Sequence, residues 1–258
     1  MKIKVLVENT AGSENFDTEH GLSLYIETQN KKILFDMGQS GLFAKNAEKL
    51  GVDLSAVDFA VLSHGHYDHG GGLKTFLGIN KTAPVYLSRF AFEPHYNGTE
   101  KYIGLDVELI ENNRLHFVGD ELEISKGLTL YSCNENEKKH YLGSFGLNML
   151  EGEKFVPDDF RHEQYLLIEE ERKRILISGC SHKGIMDITE WFTPDILIGG
   201  FHFTKIEPGE ELKKYSLFLN SFSTAFYTCH CTGVPQYEFM KEHIKNLHYI
   251  STGDEINI

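Results

Sequence analysis

Ala60-Val61-Leu62-Ser63-His64-Gly65-His66-Tyr67-Asp68-His69-Gly70-Gly71-Gly72 is the stretch on which the reading of the whole chain turns. An apolar strand delivers the backbone to a glycine-rich loop that holds three histidines and an aspartate. Neutral imidazole and carboxylate are the usual protein ligands of Zn²⁺ and similar divalent ions. A compact H-x-H-x-D-H loop can aim one pair of side chains at one ion and the other pair at a neighbour. The glycines let the backbone turn tightly and let the next helix pack closely. A solvated polar loop, or histidines that cap the following helix, is the ordinary reading of a lone histidine. This spacing behind an apolar strand points instead to metal.

One loop cannot complete such a site, and three later strands each end at a histidine. Arg174–Ser178 runs into Gly179-Cys180-Ser181-His182, Asp195–Gly199 into Gly200-Phe201-His202, and Thr224–Thr228 into Cys229-His230-Cys231. Strand ends are where α/β folds build their sites. Taken singly, His182, His202 and His230 also read as buried histidines bonded to backbone. Cys180 reads as a thiolate ligand or as a small buried hydrophobe. Cys133, Cys229 and Cys231 read as structural. His95, His116, His140, His243 and His248 have no comparable setting and read as ordinary.

Working outward, apolar alternation predicts strands at Lys2–Val7, Leu22–Thr28, Lys32–Phe35 and Asp58–Ser63, with Pro84–Ser88, Leu115–Val118 and Leu128–Tyr131 further on. Phe43, Ala47 and Leu50 recur at helical spacing before Gly51, and Gly70–Leu77 reads as a short helix. The second half predicts a hairpin, Gln164–Glu169 and Arg174–Ser178, turned at Glu170–Lys173. Helices follow at Gly184–Phe192, Gly209–Ser221 and Val234–Ile244. No linker divides the chain, so residues 1–258 are expected to form one α/β domain, a four-layer αββα sandwich of two pseudo-equivalent halves. The tract Ser132–His162 has little periodicity; with Tyr141, Phe145, Phe155 and Phe160 it is expected to form part of a substrate lid.

Composition narrows the partners. A formal net charge of −13 argues against a broad nucleic-acid surface. No run of 18 or more apolar residues offers a membrane span. Met1–Thr10 alternates like a strand rather than a leader, and the four cysteines form no dense framework, so a soluble cytoplasmic protein acting on a small molecule is expected. Oligomeric state has no signature here.

The motif His64-Gly65-His66-Tyr67-Asp68-His69 resembles the signature of the metallo-β-lactamase superfamily. Ile33-Leu34-Phe35-Asp36-Met37-Gly38 resembles that superfamily's first motif. With Glu19-His20-Gly21-Leu22-Ser23, Gly179-Cys180-Ser181-His182, Gly199-Gly200-Phe201-His202 and His230-Cys231-Thr232-Gly233, the chain is similar to one subgroup, the metal-dependent hydrolases related to archaeal dihydropterin–ribofuranosylaminobenzene phosphate synthase. The resemblance implies that His64 and His66 bind a first metal, and that Asp68 and His69 bind a second, completed by His230. Asp36 and His20 would be supporting groups. Cys180 or His182 would supply a further ligand, His182 standing in for a third-motif histidine that only His162 could otherwise provide. One or two divalent ions are implied, zinc first, with manganese and iron also compatible with His and Asp ligands.

The expected activity is hydrolysis of an ester, lactone or phosphoester-type small molecule, because metal coordination lowers the pKa of water from about 15.7 toward about 7. Asp68 would orient the attacking water and carry its proton. A transferase or condensing reaction on a phosphorylated pterin-like substrate is the alternative, and a non-catalytic metal sensor is a third reading.

Overall fold

The computed structural model describes residues 1–258. Two seven-stranded mixed sheets face one another. The first runs in the order Glu255–Asn257, Lys2–Val7, Ser23–Glu27, Lys32–Phe35, Phe59–Val61, Val85–Ser88, Leu115–Val118. The second runs Leu247–Tyr249, Ala225–Thr228, Ile196–Ile198, Lys173–Ile177, Tyr165–Glu170, Leu128–Tyr131, Glu121–Ser125. Each sheet begins as an antiparallel meander and continues as parallel strands joined by helical crossovers. That shared plan gives the two halves their likeness.

Alternation along the strands decides the layers, because successive side chains point to opposite faces. Ile33 and Phe35 enter the core between the sheets, while Leu34 packs outward with Phe43, Ala47, Leu73 and Phe76 of the first helical layer. In the other half, Ile175, Ile177, Ile196 and Ile198 enter the same central core. Leu176 and Leu197 meet Ile185, Ile188, Leu212 and Met240 of the second helical layer. Helix, sheet, sheet, helix is the observed order. Strands buried on both faces read as near-continuous apolar runs, which is why these were legible.

The expected helices appear as Leu42–Lys49, Leu73–Ile79, Ile185–Phe192, Glu210–Leu219 and Val234–Met240. The helix read over Gly70–Leu77 starts three residues later, because Tyr67–Gly70 forms a separate turn holding Asp68 and His69. The Ser132–His162 tract is not structureless. Leu147–Glu151 and Lys154–Pro157 make a hairpin that joins His95–Asn97 and Lys101–Tyr102 in a four-stranded sheet. Its strands are two to five residues long, too short to leave a period. The edge strands Glu121–Ser125, Leu247–Tyr249 and Glu255–Asn257 were hidden for the same reason. No helix is long and apolar enough to cross a membrane.

Candidate metal centre

Every parallel strand near the middle of the two sheets delivers its C-terminal end to one edge of the sandwich. Lys32–Phe35 ends at Asp36, Phe59–Val61 leads to the histidine loop, Lys173–Ile177 to Cys180 and His182, Ile196–Ile198 to His202, and Ala225–Thr228 to His230. Asp36, Ser181, His202 and His230 all adopt left-handed backbone conformations there, with φ between 50° and 58°. Non-glycine residues in that region are uncommon and gather at functional sites. The loop glycines answer a packing need: a Cβ on Gly65 would lie 2.2 Å from the Ala91 carbonyl oxygen, and one on Gly72 2.2 Å from that of Met37.

The hydrogen bonds around the cluster determine where His64, His69 and His230 keep their protons. Asp36, wholly buried, accepts from the Ser63 backbone N–H, the Ser63 hydroxyl and His69 Nδ1, each at 2.7 Å. His69 therefore carries its proton on Nδ1. The Ser63 hydroxyl has spent its hydrogen on Asp36, so its 2.8 Å contact with His64 Nδ1 must be donated by the imidazole. His230 Nδ1 donates to Asn9 Oδ1 at 2.9 Å. In all three rings Nε2 is left as a bare lone pair.

Those lone pairs converge. His69 Nε2 lies 3.3 Å from His230 Nε2, His64 Nε2 lies 3.3 Å from His182 Nε2, and Cys180 Sγ lies 3.1 Å from His69 Nε2. Asp68 Oδ2 sits 3.3 Å from His230 Nε2. Where the bare Nε2 atoms of His69 and His230 face one another in a dry site, acceptor meets acceptor, and a shared cation would remove that repulsion. A tetrahedral ion with bonds of about 2.0–2.1 Å separates its nitrogen ligands by about 3.3–3.4 Å, so the observed spacings fit one. His64, His66 and His182 form one buried group, and His64, His69 and Cys180 another. Cys180 and His182, alternatives on sequence, both reach the cluster on different sides of it.

Electrostatics agree. Burial, reinforced by neighbouring histidines, pushes His64, His66 and His182 well below the ordinary imidazole range, which keeps them in the neutral form that binds metal. Burial also opposes charge on His69, yet Asp36 and Asp68 outweigh it and hold this imidazole above its usual value. Burial raises Asp68, but His69, His20 and His230 more than reverse it. The position occupied by His69 welcomes positive charge. Its proton thus competes with a cation from above the ordinary pKa of about 6.5 downward. Below that point Zn²⁺ affinity is expected to fall about tenfold per pH unit for each proton displaced. Chelator-competition titrations from about pH 8 to about pH 6 check this, and a flat profile would contradict it.

The remaining residues singled out by sequence take defined places. His202 is half-buried, its ring 4.3 Å from that of His182, with Nδ1 unpartnered. His20 Nε2 lies 3.3 Å from Asp68 Oδ2 on a side chain 57% exposed. His162 is excluded as a neutral ligand: its Nδ1 accepts from the Gly65 backbone N–H at 2.9 Å, so its proton occupies Nε2. Cys231, read as structural, has its Sγ 3.5 Å from the Cys180 carbonyl and lines the same pocket.

Sequence reasoning missed the buttresses. His95, read as ordinary, is fully buried; its Nδ1 donates to Asp158 Oδ2 at 2.8 Å, and its ring lies 5.5 Å from that of His66 and 3.9 Å from that of His162. Buried Glu163 accepts from the backbone N–H groups of His182 and Lys183 and from the Tyr165 hydroxyl, and so holds the Cys180–His182 turn in place. Glu8 does the same for the His230 backbone N–H at 2.6 Å. Of these only Glu163 had a local cue, its place beside His162. Contributions from the Ser132–His162 tract are mixed. Phe160 stacks on His182 at 4.5 Å, Phe145 meets His202 at 5.5 Å and Leu147 lines the pocket, whereas Tyr141 and Phe155 are exposed.

With this geometry in hand, comparisons with known proteins are informative. The model of the metallo-beta-lactamase superfamily matches residues 17–218. An uncharacterized protein of Methanocaldococcus jannaschii is 32% identical over 240 residues, covering 90% of each chain. The 7,8-dihydropterin-6-methyl-4-(beta-D-ribofuranosyl)-aminobenzene-5'-phosphate synthase of the same organism is 30% identical over 273 residues, 95% of this chain and 92% of that one. The crystal structure of Tm1679, described as a metal-dependent hydrolase of the beta-lactamase superfamily, superposes with a TM-score of 0.86 at 30% identity, over 100% of this chain and 99% of that one.

Proposed function

Because the chain belongs to the metallo-beta-lactamase superfamily, we propose that it is a metal-dependent hydrolase of an ester, lactone or phosphoester-type small molecule. The observation that carries this reading is the convergence of proton-free Nε2 atoms from His64, His69 and His230, each fixed by a hydrogen bond at its far nitrogen. His64, His66 and His182 would hold one divalent cation, and Asp68, His69, His230 and Cys180 its neighbour. A cation bound there supplies Lewis acidity and lowers the pKa of a coordinated water toward about 7. Zinc suits the mixed imidazole, carboxylate and thiol donors.

The chain's own groups handle orientation and the proton. Asp68 opens onto the pocket with its side chain 13% exposed, so Oδ2 can accept a hydrogen bond from an attacking water and take its proton. His20, 3.3 Å away and largely exposed, can relay that proton to solvent. Ser63 and Asp36 keep His64 and His69 from turning. Phe160, flat against His182, shields that side from water.

The test is direct. Protein stripped of metal is expected to hydrolyse simple carboxylic esters and phosphodiesters at background rate, and Zn²⁺ or Mn²⁺ to restore turnover. Full activity in the stripped protein would refute the proposal. The synthase at 30% identity over nearly the whole chain supports a second reading, a condensation on a phosphorylated pterin. Pyrophosphate release that depends on a pterin diphosphate would favour it over hydrolysis.

A further inference from the structure

We propose that Cys231 is a metal ligand, and that with Cys180 it forms a thiolate pair selecting a thiophilic cation, zinc before manganese, for the position shared by His69 and His230. The inference rests on the metal-centre reading of this site and is independent of which bond is hydrolysed.

The four free cysteines have different surroundings. Cys229 is sealed in the core between the sheets, and Cys133 lines a separate cavity beside Trp191. Cys180 and Cys231 both line the pocket over the histidines. Their Sγ atoms and a ring nitrogen of His230 all lie within 4.8 Å of one another. A tetrahedral ion with Zn–S bonds of about 2.3 Å separates two sulfur ligands by about 3.8 Å. A small turn of the Cys231 side chain therefore lets both sulfurs share one ion.

The surroundings are built around this second sulfur. A Cβ on Gly200 would lie 2.4 Å from Cys231 Sγ. Gly200 lies outside the left-handed region, so room for the thiol, rather than backbone conformation, is what calls for glycine there. The turn His230–Thr232 is pinned along its length. Glu8 holds the His230 backbone N–H, the Cys231 carbonyl accepts from the Thr204 backbone N–H at 3.2 Å, and the Thr232 hydroxyl accepts from that of Phe201 at 2.8 Å. The thiol carried by this firm frame makes only a long contact with the Cys180 carbonyl, 3.5 Å, and S–H is a weak donor. A frame of that kind is what holds a ligand in register with its metal. Thiolate is a soft donor that favours zinc, whereas carboxylate and water suit manganese. With a second sulfur on the cation, Asp68 can leave it to take a proton from water without emptying the site.

The experiment loads the full chain with Co²⁺, a coloured stand-in for zinc, and reads the thiolate-to-cobalt charge-transfer absorption per chain at saturation. Cys180→Ser and Cys231→Ser are each expected to lower it by about half, and the double variant to remove it, since each coordinated sulfur contributes its own transition. Competition between Zn²⁺ and Mn²⁺ gives a second readout: Cys231→Ser should cut the preference for zinc about tenfold. Cys133→Ser, outside the pocket, should change neither. A Cys231→Ser protein with the parental band would overturn the proposal. So would a Cys180→Ser protein that still binds cobalt but has lost the whole band, an outcome that needs no folded Cys231 variant. Ester turnover is read separately. A chain that shows both sulfurs on cobalt and hydrolyses nothing keeps the proposal and ends the hydrolase reading; hydrolysis with a band carried by Cys180 alone does the reverse.

Discussion

Replacing His64 or His69 by alanine is expected to lower kcat/KM for a hydrolysed ester by about 10³-fold or more, and the double replacement to cost little beyond either one. Each ring contributes an Nε2 that has no proton and no other partner than the cluster itself. Losing one ligand leaves too few donors to hold a cation against water. Without the cation the pKa of the attacking water returns from about 7 toward about 15.7. Residues that act as a unit are strongly non-additive, because the first loss already removes what the second would have supplied. The checks are kcat/KM and metal-to-protein stoichiometry on the single and double variants. Single variants that keep both full metal content and activity would show that these rings serve the fold rather than the chemistry.

Asp36→Ala is expected to damage stability and metal binding together. The carboxylate is buried and accepts from two groups of Ser63 and from His69. Its removal strands three buried donors, at about 1–3 kcal/mol for each that finds no substitute. Relaxation and entering water would recover part of this, leaving a loss of about 3–4 kcal/mol, which for a domain of this size lowers Tm by about 10 °C. Freed from Asp36, His69 can turn or move its proton to Nε2, and metal affinity should fall about 10–100-fold. Asp36→Asn separates the two effects. Asparagine tolerates the left-handed φ of 58° and keeps one acceptor oxygen, so it should recover most of the Tm. Its amide cannot satisfy both Ser63 and His69, so metal affinity should stay depressed. Calorimetric melting with and without Zn²⁺ reads both quantities. An alanine variant with parental Tm and metal content would show that the Ser63 and His69 contacts carry no weight.

Much of this molecule was open to reading before any coordinates. Ile33–Phe35, Ile175–Ile177 and Ile196–Ile198 are buried on both faces, so apolar identity alone marks them as inner strands. Histidines directly after such strands mark the edge where a site is built, and His64, His66, Asp68, His69, Cys180, His182 and His230 do meet there. His202 joins them, its ligand atom grouped with those of Cys180 and His182. The short sheet around His95 and Leu147 left no trace, because two to five residues cannot establish a period.

Local sequence therefore determined which residues could bind a cation and which strands would carry them, since spacing and hydropathy are properties of neighbours along the chain. Tertiary structure alone decided the protonation of the His64, His69, His162 and His230 rings. Ser63 with Asp36, Asn9 from the first strand's exit, and Gly65 opposite His162 come from positions 27, 221 and 97 residues apart. A proton's place on an imidazole depends on what faces its far nitrogen, and that partner is fixed by folding rather than by sequence proximity.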